Sequence, residues 1–547
     1  MRWRRIFKKA REGCPANESL GQKQGKAAVY SREPGEKQEE AAVYSREPGE
    51  KQEEAAVCSR EPGEKQEEAA VCSREPGQYP EAEAYMGKLK EQIRNPMARK
   101  MAAEEIENHI ADQACAYESQ GMEREKAVEA AVRQMGDPVA VGVDLDRIHR
   151  PKMNWPLFGM IAAFSILGLI LQYMCFYGLG EELREYSQAN ISRENFYRQC
   201  IYTFLGLGAM TGVCFLDYSR IGRHSRAGGL ILLLGILMVC QMGGLHLVNG
   251  NRSWFVLFPM VNGGYPYLKC LLYLFVPLFG GILYKNRGTG YRGLVEGFIW
   301  IAALFPVGNW IGGGIGGTID VILVCLVMLF MAVGKGWFKT ITRKRLFAAA
   351  FSIMVLGGVA AGGNLRSYQL TRLQSLFVEN NREGYLNMTV RRIMSNLSLR
   401  GNSTAVLSQK GLLPWQNIAG IPNDFIFLQM ATQLGIIRML CICGGLAALF
   451  CVMVLAVVRQ KNQMGQMMGL GCVMLLALET VRTVFNNLGF YVASTNGLMF
   501  FSYGKVHTIT VYILLGVVLS IYRYKDLVWE KEEKKTFKKF PGLRPAE

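Results

Sequence analysis

The residues best suited to chemistry stand where apolar runs begin and end. Asp424 lies in Ile421-Pro422-Asn423-Asp424-Phe425-Ile426-Phe427, between a long polar connection and an apolar stretch. A carboxyl group in that setting is partly desolvated, which raises its pKa and makes the carboxylate a better base. On spacing alone Asp424 reads as a helix N-cap, because Asp ahead of an apolar helical run can accept from free backbone amides. Upstream, Asn249-Gly250-Asn251-Arg252-Ser253-Trp254 and Lys269 place two cations and an indole near the ends of other runs. Cations there can meet an anionic group, but Trp at a membrane interface is also a common anchor and Lys near a helix end can snorkel. Arg391, Arg392 and Arg400 are weaker candidates in the long connection. Glu296, Asp320, Arg438 and Glu479 fall inside apolar runs, where a charge is costly in lipid, so they are expected to face the bundle interior or a hydrated groove. Glu296 and Arg438 are close enough to run ends to reach the interface, whereas Asp320 and Glu479 suit an ion pair or a cavity.

The elements that must position these residues are membrane helices. The chain is 50% hydrophobic and 20% charged, and the two classes are segregated along it. Apolar runs cover approximately 155–178, 199–216, 227–247, 267–284, 294–311, 318–334, 346–362, 434–458, 465–488 and 500–521. Each approaches the roughly 20 residues a helix needs to cross a hydrocarbon core, so the expected fold is all-α and polytopic, with about ten transmembrane helices. The net charge of +17 comes from Lys and Arg in short connections, not from one basic face, so no nucleic acid is expected. Basic residues follow the second run (Arg220, Arg223, Arg226), the fourth (Lys285, Arg287, Arg292), the sixth (Lys335 to Arg345) and the eighth (Arg459, Lys461). The positive-inside rule makes those loops and both termini cytoplasmic. It leaves residues 363–425 as one large outer loop, too long to be mere linkage and expected to be folded.

Before the first run the chain changes character twice. Residues 1–80 hold a basic start and tandem copies of a 14-residue unit, Ala-Ala-Val-Tyr-Ser-Arg-Glu-Pro-Gly-Glu-Lys-Gln-Glu-Glu, at Ala27, Ala41 and Ala55, with a truncated copy at Ala69 and with Tyr30 and Tyr44 becoming Cys58 and Cys72. Each copy has too little apolar surface to offset the entropy of ordering, so the segment reads as a disordered spacer. Met1-Arg2-Trp3-Arg4-Arg5 is not followed by an apolar stretch and is not a secretion signal. Residues 81–150 turn helical, with Ile106, Ile110, Ala114 and Tyr117 on one face and Gly121 and Gly136 as helix stops. This part resembles the permease prefix domain found ahead of membrane segments in some Gram-positive bacterial proteins, and it is expected to be a small cytoplasmic bundle. Residues 151–525 form the membrane domain and 526–547 a charged tail. The 14 cysteines show no metal-ligand spacing, the large loop contains none, and no disulfide framework or metal site is expected.

The stretch ending in Asp424-Phe425-Ile426-Phe427, followed by Gln433-Leu434-Gly435, resembles the SEDS family of bacterial wall proteins (FtsW, RodA, SpoVE). That family's loop ends in His-Thr-Asp-Phe-Ile-Phe and runs into Glu-Glu-Leu-Gly. Other stretches agree in order: Arg198-Gln199, Asp217-Tyr218, Asn249 to Trp254, Lys269, Phe485-Asn486-Asn487-Leu488-Gly489 and Phe500-Phe501-Ser502-Tyr503-Gly504. Departures mark a divergent member. Val261 to Tyr267 lacks Gln-Pro-Ser-Glu, with Pro266 at the acidic position, and Gly316-Gly317-Thr318 lacks the Pro-Asp of Gln-Pro-Asp-Leu-Gly-Thr. Thr432-Gln433 replaces Glu-Glu, and Val506-His507 stands where Gly-Ser-Ser is usual.

The resemblance implies a peptidoglycan glycosyltransferase that polymerises lipid II, a disaccharide on a polyprenyl pyrophosphate, outside the bacterial cytoplasmic membrane during elongation, division or sporulation. Under it Asp424 becomes the catalytic base, and Arg252, Trp254 and Lys269 become substrate-binding residues. It implies a single-pass penicillin-binding transpeptidase as partner, besides membrane lipid. No cofactor is required by the sequence, although a divalent cation is one way to neutralise the pyrophosphate. Two other readings stand beside it: an inactive SEDS-like membrane scaffold, and a transporter or flippase of lipid-linked precursor.

Overall fold

A computed structural model of the chain describes residues 79–177, 193–241, 245–248, 251–255, 267–311, 318–338, 374, 385–418, 424–490 and 496–525. The tandem repeats, the seventh apolar run at 346–362 and the C-terminal tail lie outside the described residues. The chain divides into two compact units, Met1–His149 and Arg150–Glu547.

In the first unit, α1 (Pro80–Gln92), α2 (Pro96–Glu118), α3 (Arg124–Met135) and α4 (Pro138–Ile148) bury Leu89, Ile93, Ile106, Ile110, Ala127, Ala131 and Leu145 against one another. Local chemistry sets the boundaries. Gly121 and Gly136 take the left-handed backbone conformation (φ 90° and 83°) that a Cβ would oppose. Asp137 then caps α4 by accepting from the amides of Val139 and Ala140, with Pro138 at the first helical position.

Among the described residues the second unit is helical apart from one pair of strands. Its long helices are α5 (Trp155–Tyr177), α6 (Arg193–Phe215), α8 (Ser225–Gln241) after the short α7 (Tyr218–Arg223), α10 (Phe275–Lys285), α11 (Tyr291–Ile311) and α12 (Ile319–Gly334). The short helix α9 (Tyr267–Leu271) and a single 3-10 turn, Leu272–Leu274, lead directly into α10. Later come α13 (Tyr385–Ser395), α14 (Thr404–Gln409), α15 (Pro414–Asn417), α16 (Ile426–Leu434), α17 (Ile436–Val458), α18 (Gln463–Asn487) and α19 (Lys505–Arg523). Every expected apolar run inside the described residues carries a helix. Trp155–Cys175, Ile436–Val458, Gln463–Asn487 and Lys505–Arg523 are long and apolar enough to cross a membrane by length and composition. Ser225–Val239 and Ile319–Gly334 are shorter apolar helices.

Two strands that the all-α expectation did not include, β1 (Leu245–Val248) and β2 (Asn251–Phe255), pair antiparallel with His246 opposite Trp254. Asn249-Gly250, the strongest short-range hairpin signal, lies between them in sequence. The strand β2 packs against α9.

Burial separates core helices from lipid-facing ones. Within their apolar windows α19 is 72% buried and α17 only 22%, so among the described residues α19 lies inside the bundle and α17 on its perimeter. Alongside α19 runs α6, joined by Gln199 donating to Thr508 Oγ1 at 3.0 Å, while α10 packs on α18. At that second contact a Cβ on Gly280 would meet the backbone of Met468 at 3.0–3.1 Å, so hydrogen at this position lets two backbones approach.

The described part of the long loop has its own core. Val390, Ile393, Leu407, Leu413 and Ile418 cluster with Phe425 and Leu428 at the start of α16. The loop is also fastened to α17. The amides of Ile436 and Ile437 donate to the carbonyls of Ser398 and Leu399 at 3.2 Å, and Ser403 donates to Thr432 O at 2.7 Å. Gly435 makes the clip possible: its φ is 80°, and a Cβ would fall 3.0–3.1 Å from the backbone of Gly401 and Leu399.

Candidate functional site

Asp424 sits in the turn that leads into α16, half-buried, with Phe425 and Ile426 buried behind it. It does not cap the helix as spacing suggested. The N-cap position falls on Phe425, and no side chain caps there from within the turn. The duty passes to Asn487 on α18, whose Oδ1 accepts from the Leu428 amide at 2.9 Å. Its Nδ2 donates to the Asp424 carbonyl at 2.7 Å and to Thr483 O at 2.7 Å. One buried amide side chain therefore holds the Asp424 turn onto the end of α18, leaving the Asp424 carboxyl out of the capping role.

Burial pushes that carboxyl up to about 7, against the opposing pull of Lys269 and then Arg482. Lys269, on α9, and Arg482, on α18, are thus the cations that act on it. Arg482 pairs with Asp320 of α12 at 2.5 Å, and Asp320 is 1% exposed. On α18, one turn from Arg482, Glu479 accepts from the Tyr273 hydroxyl at 2.8 Å and lies 3.3 Å from His507 Nε2 on α19. Asn496 donates to the same tyrosine oxygen at 2.7 Å. A buried polar cluster thus follows one face of α18, with side chains from four other segments.

The sequence-derived candidates separate in space. Asp424 and Lys269 come within electrostatic reach of each other. Arg252 and Trp254 are on β2, whose backbone packs against the helix bearing Lys269. Arg391 leaves the site: its guanidinium lies 5.0 Å over the Phe490 ring. Arg392, Arg400 and Arg438 are exposed. Glu296 is held by Arg226 through a two-pronged pair at 2.8 and 2.9 Å. Sequence reasoning passed over Arg482, Tyr273 and Asn496, and it named Asn487 and His507 only within stretches compared with the family, without a role. For Arg482 a signal existed, since it stands three residues after Glu479 inside an apolar run and so on a neighbouring helical face. Among the described residues no group of three or more His, Cys, Asp or Glu could hold a metal ion. The side chains acting on Asp424 are cations, a poor start for a divalent site.

The model of the FtsW/RodA/SpoVE cell cycle protein family matches residues 155–527. Among solved structures, a chain from a peptidoglycan synthase complex that coordinates polymerization and crosslinking is similar at 21% identity, covering 68% of this chain and 98% of its own, with a TM-score of 0.51. The Thermus thermophilus rod shape determining protein RodA is similar at 18% identity, covering 68% of this chain and 97% of its own, with a TM-score of 0.45. A variant of that protein aligns at 17% identity, covering 68% and 98%, with a TM-score of 0.47. No curated protein sequence matches.

Proposed function

This chain belongs to the FtsW/RodA/SpoVE family of cell cycle proteins, and from that membership we propose that it is a peptidoglycan glycosyltransferase that polymerises lipid II at the outer face of the bacterial cytoplasmic membrane. The observation that carries the proposal is Asp424 itself: a half-buried carboxyl, fixed on α18 through Asn487 and flanked by cations, whose protonation changes near pH 7. A general base is most effective when its pKa lies close to the working pH.

In the proposed reaction Asp424 takes the proton from an acceptor sugar hydroxyl as that oxygen bonds to the anomeric carbon of the donor. The bond from that carbon to the pyrophosphate oxygen breaks, and the lipid pyrophosphate departs with the electron pair. Lys269, beside Asp424, is placed to meet the negative charge that develops on the leaving group. Arg252 on β2 is the second candidate for that charge, and Trp254 offers an apolar surface at headgroup level to sugar or lipid. The proton on Asp424 then returns to water. A divalent cation, if bound by the pyrophosphate itself, would add to the same charge neutralisation. The orientation that this requires places the 363–425 loop outside and both termini in the cytoplasm, as the basic loops suggest. The similar chain in a complex that couples polymerization to crosslinking supports a penicillin-binding transpeptidase as partner.

One observation favours a second reading, a scaffold that binds lipid or partner without polymerising: Pro266 and Gly316-Gly317-Thr318 lack the acidic groups of the family pattern. Purified protein with labelled lipid II, wild type against Asp424→Ala, separates the two. Glycan that forms with wild type and disappears in the variant supports the enzyme. Binding without polymer from either protein defeats it in favour of the scaffold, and lipid movement across vesicles without polymer defeats it in favour of a flippase.

A further inference from the structure

The last turns of α18 carry a polar stripe. Glu479, Thr480, Thr483, Asn486 and Asn487 are buried, and Arg482 lies among them with 19% of its side chain exposed. Eight residues of helix rise about 12 Å, so the stripe reaches from the Tyr273 and His507 contacts to the turn that bears Asp424. That turn and Arg482 are both held on α18. Asn487 binds the Asp424 carbonyl at 2.7 Å and the Leu428 amide at 2.9 Å, tying the turn to the helix that carries Arg482. From the other side, Asp320 on α12 takes Arg482 Nη2 at 2.5 Å.

Asp320 makes little sense alone. A charged carboxylate within a membrane helix is costly, and pairing it with a guanidinium offsets that cost. A hydrophobic pair of similar size would serve stability as well or better, so a buried carboxylate paired with a largely shielded guanidinium asks for a use. A use is offered by the charges that act on Asp424. Lys269 from α9 and Arg482 from α18 are the charges acting on it, Asp320 from α12 reaches it through Arg482, and Glu479 pairs with His507 further along the stripe. An ammonium can lose its proton when buried, whereas a guanidinium remains charged.

We infer that Arg482 is a second, permanent cation of the Asp424 site and that Asp320 is a positioning residue holding it there. The inference rests on the reading of Asp424 as the base: Arg482 favours the ionised carboxylate, so that it is free to accept a proton, and it keeps doing so when Lys269 is engaged by an anionic substrate. Asp320 touches no substrate and acts through Arg482.

The test uses the full-length protein in detergent and three variants. In D320N/R482Q no buried charge is left unpaired. In D320L/R482M the pair is replaced by apolar side chains, which keeps the test available if the first variant does not fold. Arg482→Lys retains the charge. Ionisation of Asp424 is followed without turnover, as the pH dependence of carbodiimide labelling at Asp424 read by mass spectrometry. The midpoint is expected to rise by about one pH unit in either neutral pair and to stay near wild type in Arg482→Lys. Where wild type polymerises lipid II, the acidic limb of its pH profile is expected to move by the same amount. A folded neutral pair whose labelling midpoint does not move overturns the inference. Wild type that makes no polymer while the midpoint still shifts defeats the polymerase reading and leaves the Arg482 assignment standing.

Discussion

The two halves of α18 obey different rules. Toward its start, Met467, Met468 and Cys472 are buried and Gly471 lies against Met328 and Val276, so this half is packing. Toward its end, Glu479, Thr483, Asn486 and Asn487 are equally buried, yet their partners are a tyrosine, a histidine, a backbone turn and the loop that carries Asp424. Burial of apolar groups needs no further explanation, because it is the main driving force of folding. Burial of polar groups costs free energy unless each finds a partner, and it is expected where chemistry requires it. One helix thus separates apolar packing from buried polar contacts along its length.

The largest effect tests the polar half. Asp424→Asn is expected to reduce lipid II polymerisation by about 100-fold or more, with little change in the thermal unfolding of the purified protein. Normal polymerisation in this variant would erase the distinction between the halves. The same carboxyl sets the pH behaviour. Since burial raises it to about 7, wild-type activity should climb with pH through a midpoint near that value. For stability the sign is opposite. The folded protein retains a proton that the unfolded chain releases from about pH 4 upward, so stability should fall between about 4 and about 7 and level off above.

Next in size is a stability effect that arises in the polar half. Arg482→Leu leaves Asp320 buried without its cation and should destabilise by about 3–5 kcal/mol. Removing both charges together should cost much less, and equal losses in single and double variants would show that the pair is not coupled. Gly280→Val sharpens the comparison from the packed half. The new side chain would collide with the Met468 backbone, costing about 1–3 kcal/mol while the folded fraction retains its specific activity. Smallest is Arg226→Ala, which breaks a half-exposed pair with Glu296 and should change stability by about 0.2–1 kcal/mol in a thermal shift measurement.

Much of this was legible in the sequence, and what was not has a common cause. Run length and composition identify the helices, because crossing a membrane imposes a length that no local detail can disguise. Asp424 was legible from the Asp-Phe-Ile-Phe stretch at the end of the loop. Its capping role was misjudged because the amide is satisfied by Asn487, 59 residues away from Leu428, and local spacing carries no record of such a partner. Asp320 and Glu479 drew attention as charges in apolar runs, but their partners Arg482 and His507 emerge only when α12, α18 and α19 are packed. The hairpin was announced by Asn249-Gly250 and overlooked because its surroundings read as a connection.

The clip between the loop and α17 sets where the loop can pivot. Ser398 and Leu399 are bonded to the first turn of that span and Ser403 to the turn before it, so this stretch of the loop is moored. Lifting it would leave several amides and carbonyls without partners, each at substantial cost. The Gly401 and Gly435 contact therefore serves as a fixed post for residues 398–403 of the loop.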